Sequence, residues 1–126
     1  MQRYDPLKAP DPEEWLALGE QERIDLAQHY HRRAGIKLPN AKLHAAMHAL
    51  VENHITLGDE TPARRVMQRL MDEGLDRHQA IHAIGSVLLE HIYDLLKNQP
   101  DPGTEPNKPY FAALERLTAE DWLRSG

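Results

Sequence analysis

The longest helical period in the chain is residues 76–98, DRHQAIHAIGSVLLEHIYDLLKN, and this stretch decides the fold. At about 100° of rotation per residue, its apolar side chains fall on one face. An apolar face of this length predicts a helix packed in the core. Asp76 is a typical helix cap, and the preceding Gly74 and Leu75 predict a tight corner that leads into the helix. The face contains Ile81, Ile84, Gly85, Leu88, Leu89, Ile92, Leu95 and Leu96.

The sequence on either side of this stretch predicts further helices and no strand. Capping residues, prolines in first turns and terminal glycines mark the helix ends. These signals predict an all-α fold, an irregular bundle of five to seven helices of unequal length. The expected helices before the long one cover residues 11–18, 20–34, 40–57 and 61–73.

The chain has 126 residues, a length that predicts one domain. Residues 1–10 contain two prolines and predict an irregular N-terminal arm. The helical core is expected at residues 11–98. Residues 99–109, QPDPGTEPNKP, predict an extended proline-rich linker. Residues 110–126 are expected to form a C-terminal helical tail.

Composition excludes several classes of function. Fifteen Lys and Arg stand against twenty Asp and Glu, a net charge of −5, and no run of Lys and Arg is longer than the pair Arg64 and Arg65. Nucleic-acid binding is therefore not expected, because it requires a concentrated cationic face. The absence of cysteine excludes disulfides and thiolate metal sites. We find no signal-peptide pattern and no segment apolar enough for a membrane, so a cytoplasmic protein is expected.

Four of the eight histidines form two pairs with a spacing of four residues. His44 and His48 lie on the expected helix 40–57, and His78 and His82 lie on helix 76–98. Histidines at this spacing project from one side of a helix, one turn apart. Both rings of a pair can reach one ion at about 2.0–2.1 Å, as zinc requires. Two such helices side by side would supply four nitrogens to zinc or another divalent transition metal.

The role of Glu52 and the alternative to metal binding stay open at this point. Glu52 follows His48 by four residues, so it is expected either as a further ligand or as a carboxylate that holds a histidine from behind. In the alternative, the histidines are packed and hydrogen-bonded, and the protein is a non-enzymatic structural or interaction module. His31 and His54 are expected to fill core or interface positions.

No enzyme class is supported by the motifs. Residues 78–82, HQAIH, are similar to the His-Glu-x-x-His helix of zinc peptidases, but Gln79 replaces the glutamate that activates water. The paired Glu-x-x-His motifs of di-iron bundles are also absent from the sequence. These comparisons favour a protein that is not an enzyme.

Residues 40–48, NAKLHAAMH, and residues 78–82, HQAIH, carry a resemblance to a known family. The sequence resembles a bacterial family of small helical proteins known as a domain of unknown function (number 1841), with the patterns Asn-Pro-x-Leu-His-x-x-x-His and His-Glu-Ala-x-His. The resemblance covers about residues 40–96. It implies a bacterial helical protein and selects the same four histidines, but no activity. Ala41 and Gln79 depart from the family pattern, and Glu52 is out of register with its acidic position.

The helix expected at 40–57 carries only two charged residues, Lys42 and Glu52. A helix this apolar is expected to be covered on nearly all sides. Its second side, with Ala45 and Ala49, predicts a seam for a homodimer or for a protein partner. In the competing prediction the aromatic tail, residues 110–122, folds back over the same side.

Overall fold

The computed structural model describes residues 1, 3–35, 40–98, 102–103 and 105–125. In this part of the chain there are seven α-helices, a 3-10 turn at Gly58–Glu60 and no strand. The helices vary from 6 to 21 residues, so the prediction of an irregular all-α bundle is confirmed. They are α1 (Pro12–Ala17), α2 (Glu20–Arg33), α3 (Ala41–Thr56), α4 (Ala63–Asp72), α5 (Arg77–Lys97), α6 (Lys108–Arg116) and α7 (Ala119–Ser125).

The long helix α5 begins as its sequence predicts. The Asp76 side chain accepts a hydrogen bond from the backbone N–H of Gln79 at 2.7 Å, and the Gln79 side chain accepts one from the Asp76 N–H at 2.9 Å. Gly74 has a φ of 115°, which favours glycine, and Leu75 is buried beneath the corner. The apolar face ends earlier than predicted, because Leu96 is 82% exposed.

The central helix is α3, which separates two apolar cores. The main core joins α3 to α4, α5 and the tail helices, and includes Val51, Leu70, Ile81, Ile84 and Leu114. The second core joins the other side of α3 to the arm, α1 and α2, and consists of Tyr4, Trp15, Ala27, Ala45 and Ala49. The arrangement places one edge of α3 between α2 and α5, where the histidine pairs lie.

Two expectations about α3 need correction. The side with Ala45 and Ala49 is buried within the chain, where Trp15 and Ala27 belong to the same core. The tail does not cover this side. It packs on α5 and α4, where Tyr110 enters the main core. The N-terminal arm and α1 cover this side instead, because Tyr4 and Trp15 supply the large aromatic side chains that fill the space. Neither segment has the long apolar periodicity that would have predicted this contact.

Several boundaries differ slightly from the predicted ones. Helix α4 begins at Ala63, whose N–H donates to Oγ1 of Thr61 at 3.2 Å. Helix α6 begins at Lys108, inside the predicted linker, while residues 99–101 and 104 of that linker lie outside the described residues. Across the described ranges, no helix is both long enough and apolar enough to cross a membrane.

Candidate metal centre

Five histidines from three helices meet at one place between the two cores. His31 comes from α2, His44 and His48 from α3, and His78 and His82 from α5. The four-residue spacing aligns each pair on its helix, and the packing of α3 between α2 and α5 brings the faces together. The ring centroids of His44 and His82 lie 4.7 Å apart, those of His78 and His82 4.4 Å, and those of His31 and His44 4.7 Å. We call these five residues the histidine cluster.

One ring nitrogen of the cluster lies within hydrogen-bond distance of two others. Nε2 of His82 lies 3.1 Å from Nε2 of His44 and 3.0 Å from Nε2 of His48. These three residues form one group whose ligand atoms all lie within 4.8 Å of one another, and His31, His48 and His78 form a second such group. The structure thus brings the four histidines of the sequence motif together and adds His31. Either group has the composition to hold a metal ion, and in the first group Nε2 of His82 is also within hydrogen-bond distance of the other two nitrogens.

Burial keeps the cluster uncharged near neutral pH. Burial, followed by the charges that His44 and His78 would carry, lowers the pKa of His31 to about 4. Burial also lowers the pKa of His82 to about 4, and it lowers the pKa of His48 further. The pKa values of His44 and His78 are shifted in the same direction, with burial as the main cause. Neutral imidazoles have a free lone pair on one nitrogen, as metal binding requires.

Two histidines of the cluster have ring nitrogens that lack partners among the described residues. Nε2 of His31 and Nε2 of His78 are buried, and neither has a hydrogen-bond partner in the part of the chain that the structure describes. His31 is only 3% exposed. A buried polar atom without a partner costs roughly 1–3 kcal/mol. Both atoms belong to members of the histidine cluster, so the cluster has two further nitrogens that are available to bind a ligand.

Behind His48 lies a buried charged network. Arg77 donates two hydrogen bonds to the carboxylate of Glu52, at 2.8 and 2.6 Å, and a third to the backbone oxygen of Pro6 at 2.9 Å. The hydroxyl of Tyr4 donates to Glu52 at 2.6 Å and lies 3.1 Å from Nδ1 of His48. Glu52 and Tyr4 are fully buried and Arg77 nearly so. Burial, assisted by the Glu52 charge, raises the pKa of Tyr4 well above its ordinary value, so Tyr4 keeps its proton.

The remaining predicted positions separate clearly from the cluster. Glu52 is in neither group of potential ligands: it sits behind His48, and its oxygens accept from Arg77 and Tyr4. His54 lies elsewhere, with Nδ1 3.2 Å from the hydroxyl of Tyr110. His91 stacks on the same tyrosine ring, with centroids 5.5 Å apart.

Sequence reasoning missed three residues of this site: His31, Tyr4 and Arg77. The sequence predicts His31 at a core or interface position, because it shares a face of α2 with Ala27, but this inward signal does not say that His31 meets the two histidine pairs. No such signal existed for Tyr4, which lies in an irregular arm. Arg77 occupies the first turn of α5, where a solvated cation is the ordinary expectation. Its burial depends on Glu52, which lies 25 residues away in sequence.

The chain was compared with known proteins at the level of families, sequences and folds. No family model, curated protein or solved structure matches it. Membership in the domain of unknown function therefore stays a prediction.

Proposed function

We propose that this protein binds one divalent transition-metal ion, zinc in the first place, through Nε2 of His44, His48 and His82. The observation that supports the proposal is the pair of Nε2–Nε2 distances, 3.1 and 3.0 Å. In a tetrahedral zinc site with bonds of about 2.0–2.1 Å, neighbouring ligand atoms are about 3.3 Å apart. A shift of a few tenths of an ångström would give these two pairs the spacing that the ion needs, and the ligand atoms of the whole group lie within 4.8 Å of one another.

The fourth ligand of the proposed site is His78 or His31. Both belong to the second group of potential ligands, and both have a buried nitrogen to which none of the described residues bonds. The ring of His78 lies 4.4 Å from that of His82, compared with 4.7 Å between His31 and His44. A closed set of four imidazoles is the arrangement of a structural site rather than of a catalytic one.

The ligand set favours particular metals. Imidazole nitrogens suit zinc, copper, nickel and iron, whereas magnesium and calcium take oxygen ligands. Glu52, the carboxylate behind His48, is paired with Arg77 and accepts from Tyr4. It is therefore badly placed to activate a bound water, and we infer a binding role without catalysis.

The second candidate is a hydrogen-bonded histidine cluster without metal. Distances of 3.0 and 3.1 Å also suit hydrogen bonds between neutral imidazoles, provided that one nitrogen of each pair carries a proton. The buried nitrogens of His31 and His78 count against this candidate, because it leaves both without a partner among the described residues. A metal would engage one of them directly.

Metal titration of the untagged protein decides between the two candidates. After dialysis against a chelator, the protein is titrated with Zn²⁺ by calorimetry and with Co²⁺ by visible absorption, which reports tetrahedral coordination. We expect one ion per chain, and at least 100-fold weaker binding for His82→Ala, because His82 contacts two other ligands. His29→Ala is the matched control, since His29 is exposed on α2. Equal, substoichiometric binding by the wild type and by His82→Ala would leave only the hydrogen-bonded cluster.

A further inference from the structure

The network behind His48 contains an ion pair that is buried in the interior of a small protein. A carboxylate and a guanidinium are buried together, and the hydroxyl of Tyr4 connects them to one histidine of the cluster. Tyr4 comes from the N-terminal arm, 44 residues before His48 in sequence, and Arg77 fixes the same arm through the oxygen of Pro6. Burying two charges costs desolvation free energy that an exposed pair does not, and good geometry with complete hydrogen bonding is needed to offset this cost.

Counting protons through the network fixes the state of His48. Arg77 has only donors and directs two of them at the Glu52 carboxylate, which is therefore ionised and can only accept. The Tyr4 hydroxyl has one proton, and it uses this proton to donate a hydrogen bond of 2.6 Å to Glu52. The Tyr4 oxygen can then interact with Nδ1 of His48, at 3.1 Å, only as an acceptor. The proton of the neutral ring must therefore be on Nδ1, and Nε2 of His48 is left with a free lone pair.

We propose that Arg77, Glu52 and Tyr4 are positioning residues that hold His48 in the tautomer with a free Nε2, and that they thereby set the affinity of the cluster for the metal. The inference rests on the proposed function and deepens it. Nε2 is the atom of His48 that lies 3.0 Å from Nε2 of His82. A metal ligand normally has its second ring nitrogen bonded to such a partner, and loss of that partner weakens metal binding by about 10- to 100-fold.

Two substitutions change the network in different ways. Tyr4→Phe removes the acceptor for Nδ1 but keeps the ring, which packs 5.7 Å from Trp15, and keeps the pair of Arg77 and Glu52. Glu52→Gln reverses the chain of donors: with the amide oxygen on Nη2 of Arg77, the amide N–H donates to Tyr4, and Tyr4 donates to Nδ1. Nη1 of Arg77 then loses the acceptor that it shares with Tyr4 and keeps its bond to Pro6. The His48 proton then moves to Nε2, where it blocks the metal. Tyr30→Phe is the matched control, because it keeps a ring that packs edge-on against Tyr4, His31 and His78 and leaves the hydrogen bonds of the network in place.

The first readout is the tautomer of His48 in metal-free protein, followed by long-range ¹H–¹⁵N NMR correlations of the imidazole rings. We expect the wild type and Tyr30→Phe to carry the proton on Nδ1, and Glu52→Gln to carry it on Nε2. In Tyr4→Phe the preference for Nδ1 is expected to be lost. A wild-type His48 with its proton on Nε2 would overturn the inference whether or not the protein binds metal.

The second readout is the zinc dissociation constant of the same variants. We expect it to rise about 10- to 100-fold in Tyr4→Phe, to rise further in Glu52→Gln, and to change less than about twofold in Tyr30→Phe. Circular dichroism establishes whether each variant is folded. If Glu52→Gln is unfolded, the zinc dissociation constant of Tyr4→Phe alone tests the inference. Wild-type affinity in Tyr4→Phe would overturn the inference. Failure of the proposed function differs: the wild type would have the Nδ1 tautomer, which supports the network, yet bind no zinc.

Discussion

At the scale of single residues, the buried pair of Arg77 and Glu52 is expected to have a large effect on stability. Their side chains are 7% and 0% exposed. Removing one partner leaves the other charge buried and unpaired, which costs about 3–5 kcal/mol. We therefore expect Arg77→Met to lower the free energy of unfolding by about that amount in urea denaturation.

A surface pair supplies the control for this prediction. Arg65 and Glu115 are also joined by a short ion pair, but their side chains are 68% and 45% exposed. Exposed pairs contribute about 0–1 kcal/mol, so Arg65→Met should have a small effect. The double variant Arg77→Met, Glu52→Gln should recover part of the loss, because no buried charge is left unpaired. Equal losses for Arg77→Met and Arg65→Met would contradict the argument.

The histidine cluster predicts a pH dependence for the metal-free protein. Burial lowers the pKa of His31 from 6.5 to about 4, so below pH 6.5 the unfolded chain binds a proton that the folded chain does not. Stability should be fully present above about pH 6.5 and fall as the pH drops towards 4, by up to about 1.4 kcal/mol per pH unit for each such histidine. His82 contributes in the same direction, and Asp76 opposes the shift only weakly.

Thermal unfolding from pH 7.5 to 5.5 in the presence of a chelator measures this dependence. The melting temperature should fall, and His31→Gln, which removes one of the buried imidazoles, should reduce the slope. A melting temperature that stays constant or rises in acid would contradict the lowered pKa values. Excess zinc should raise the melting temperature at pH 7.5, because a ligand of the folded state stabilises it.

Residue spacing predicted part of the site and could not predict the rest. His44 and His48, and His78 and His82, lie one helical turn apart in sequence, so a local rule places each pair on one face. Which faces meet depends on helix packing. Tyr4 contacts His48 and Glu52, which lie 44 and 48 positions further along the chain. Neither spacing nor composition predicts a contact between residues so far apart in sequence. The role of Glu52 could not be predicted for the same reason, because it depends on the ion pair with Arg77, which is 25 residues away in sequence.

At the scale of helices, the start of α5 was predictable and its end was not. The cap at Asp76 and the corner at Gly74 are determined by neighbouring residues, and both are present. Leu96 continues the apolar period of the helix but is 82% exposed. Periodicity shows which face of a helix is apolar, but not how far along the helix its neighbours extend.

The crossing of α3 and α5 depends on Gly85. A Cβ atom added there would lie 2.1 Å from Sδ and 2.7 Å from Cγ of Met47, next to His48. Overpacking costs about 1–3 kcal/mol, while replacing glycine in a helix returns about 1 kcal/mol. We expect Gly85→Ala to lower the free energy of unfolding by about 1 kcal/mol in urea denaturation.

A double-mutant cycle identifies the cause of that loss. Met47→Ala alone should be destabilising, because Met47 is 4% exposed and its removal leaves a cavity. Combined with Gly85→Ala it should cost less than the sum of the two single changes, since the new methyl group occupies part of the space. Additive costs would show that Met47 is not the atom group that Gly85 accommodates.

At the scale of the whole molecule, the two cores change the argument for a dimer. The alanine side of α3 that suggested a homodimer is covered by Trp15 and Ala27 of the same chain. The homodimer stays a prediction, without support from this side of the helix. Sedimentation of the full-length protein tests it, and a monomer at all concentrations would contradict it.

The arrangement of the cores also implies that stability and metal binding can be separated. The histidine cluster uses α2, α3 and the beginning of α5, whereas Leu114 of α6 is buried in the main core with the tail. Leu114→Ala should therefore lower the free energy of unfolding by about 2–5 kcal/mol, as large-to-small changes in a core do. Distant sites act independently, so its zinc dissociation constant should stay within about twofold of the wild-type value.

Ile81→Ala is the matched change close to the cluster. Ile81 is as fully buried as Leu114, but it lies on α5 directly before His82. The cavity that it leaves allows this turn of α5 to shift, so we expect a similar loss of stability together with a clear loss of zinc affinity. Calorimetric titration of both variants, at a temperature where both are folded, measures the difference. An equal loss of zinc affinity in Leu114→Ala would mean that the tail and the histidine cluster are coupled through α5.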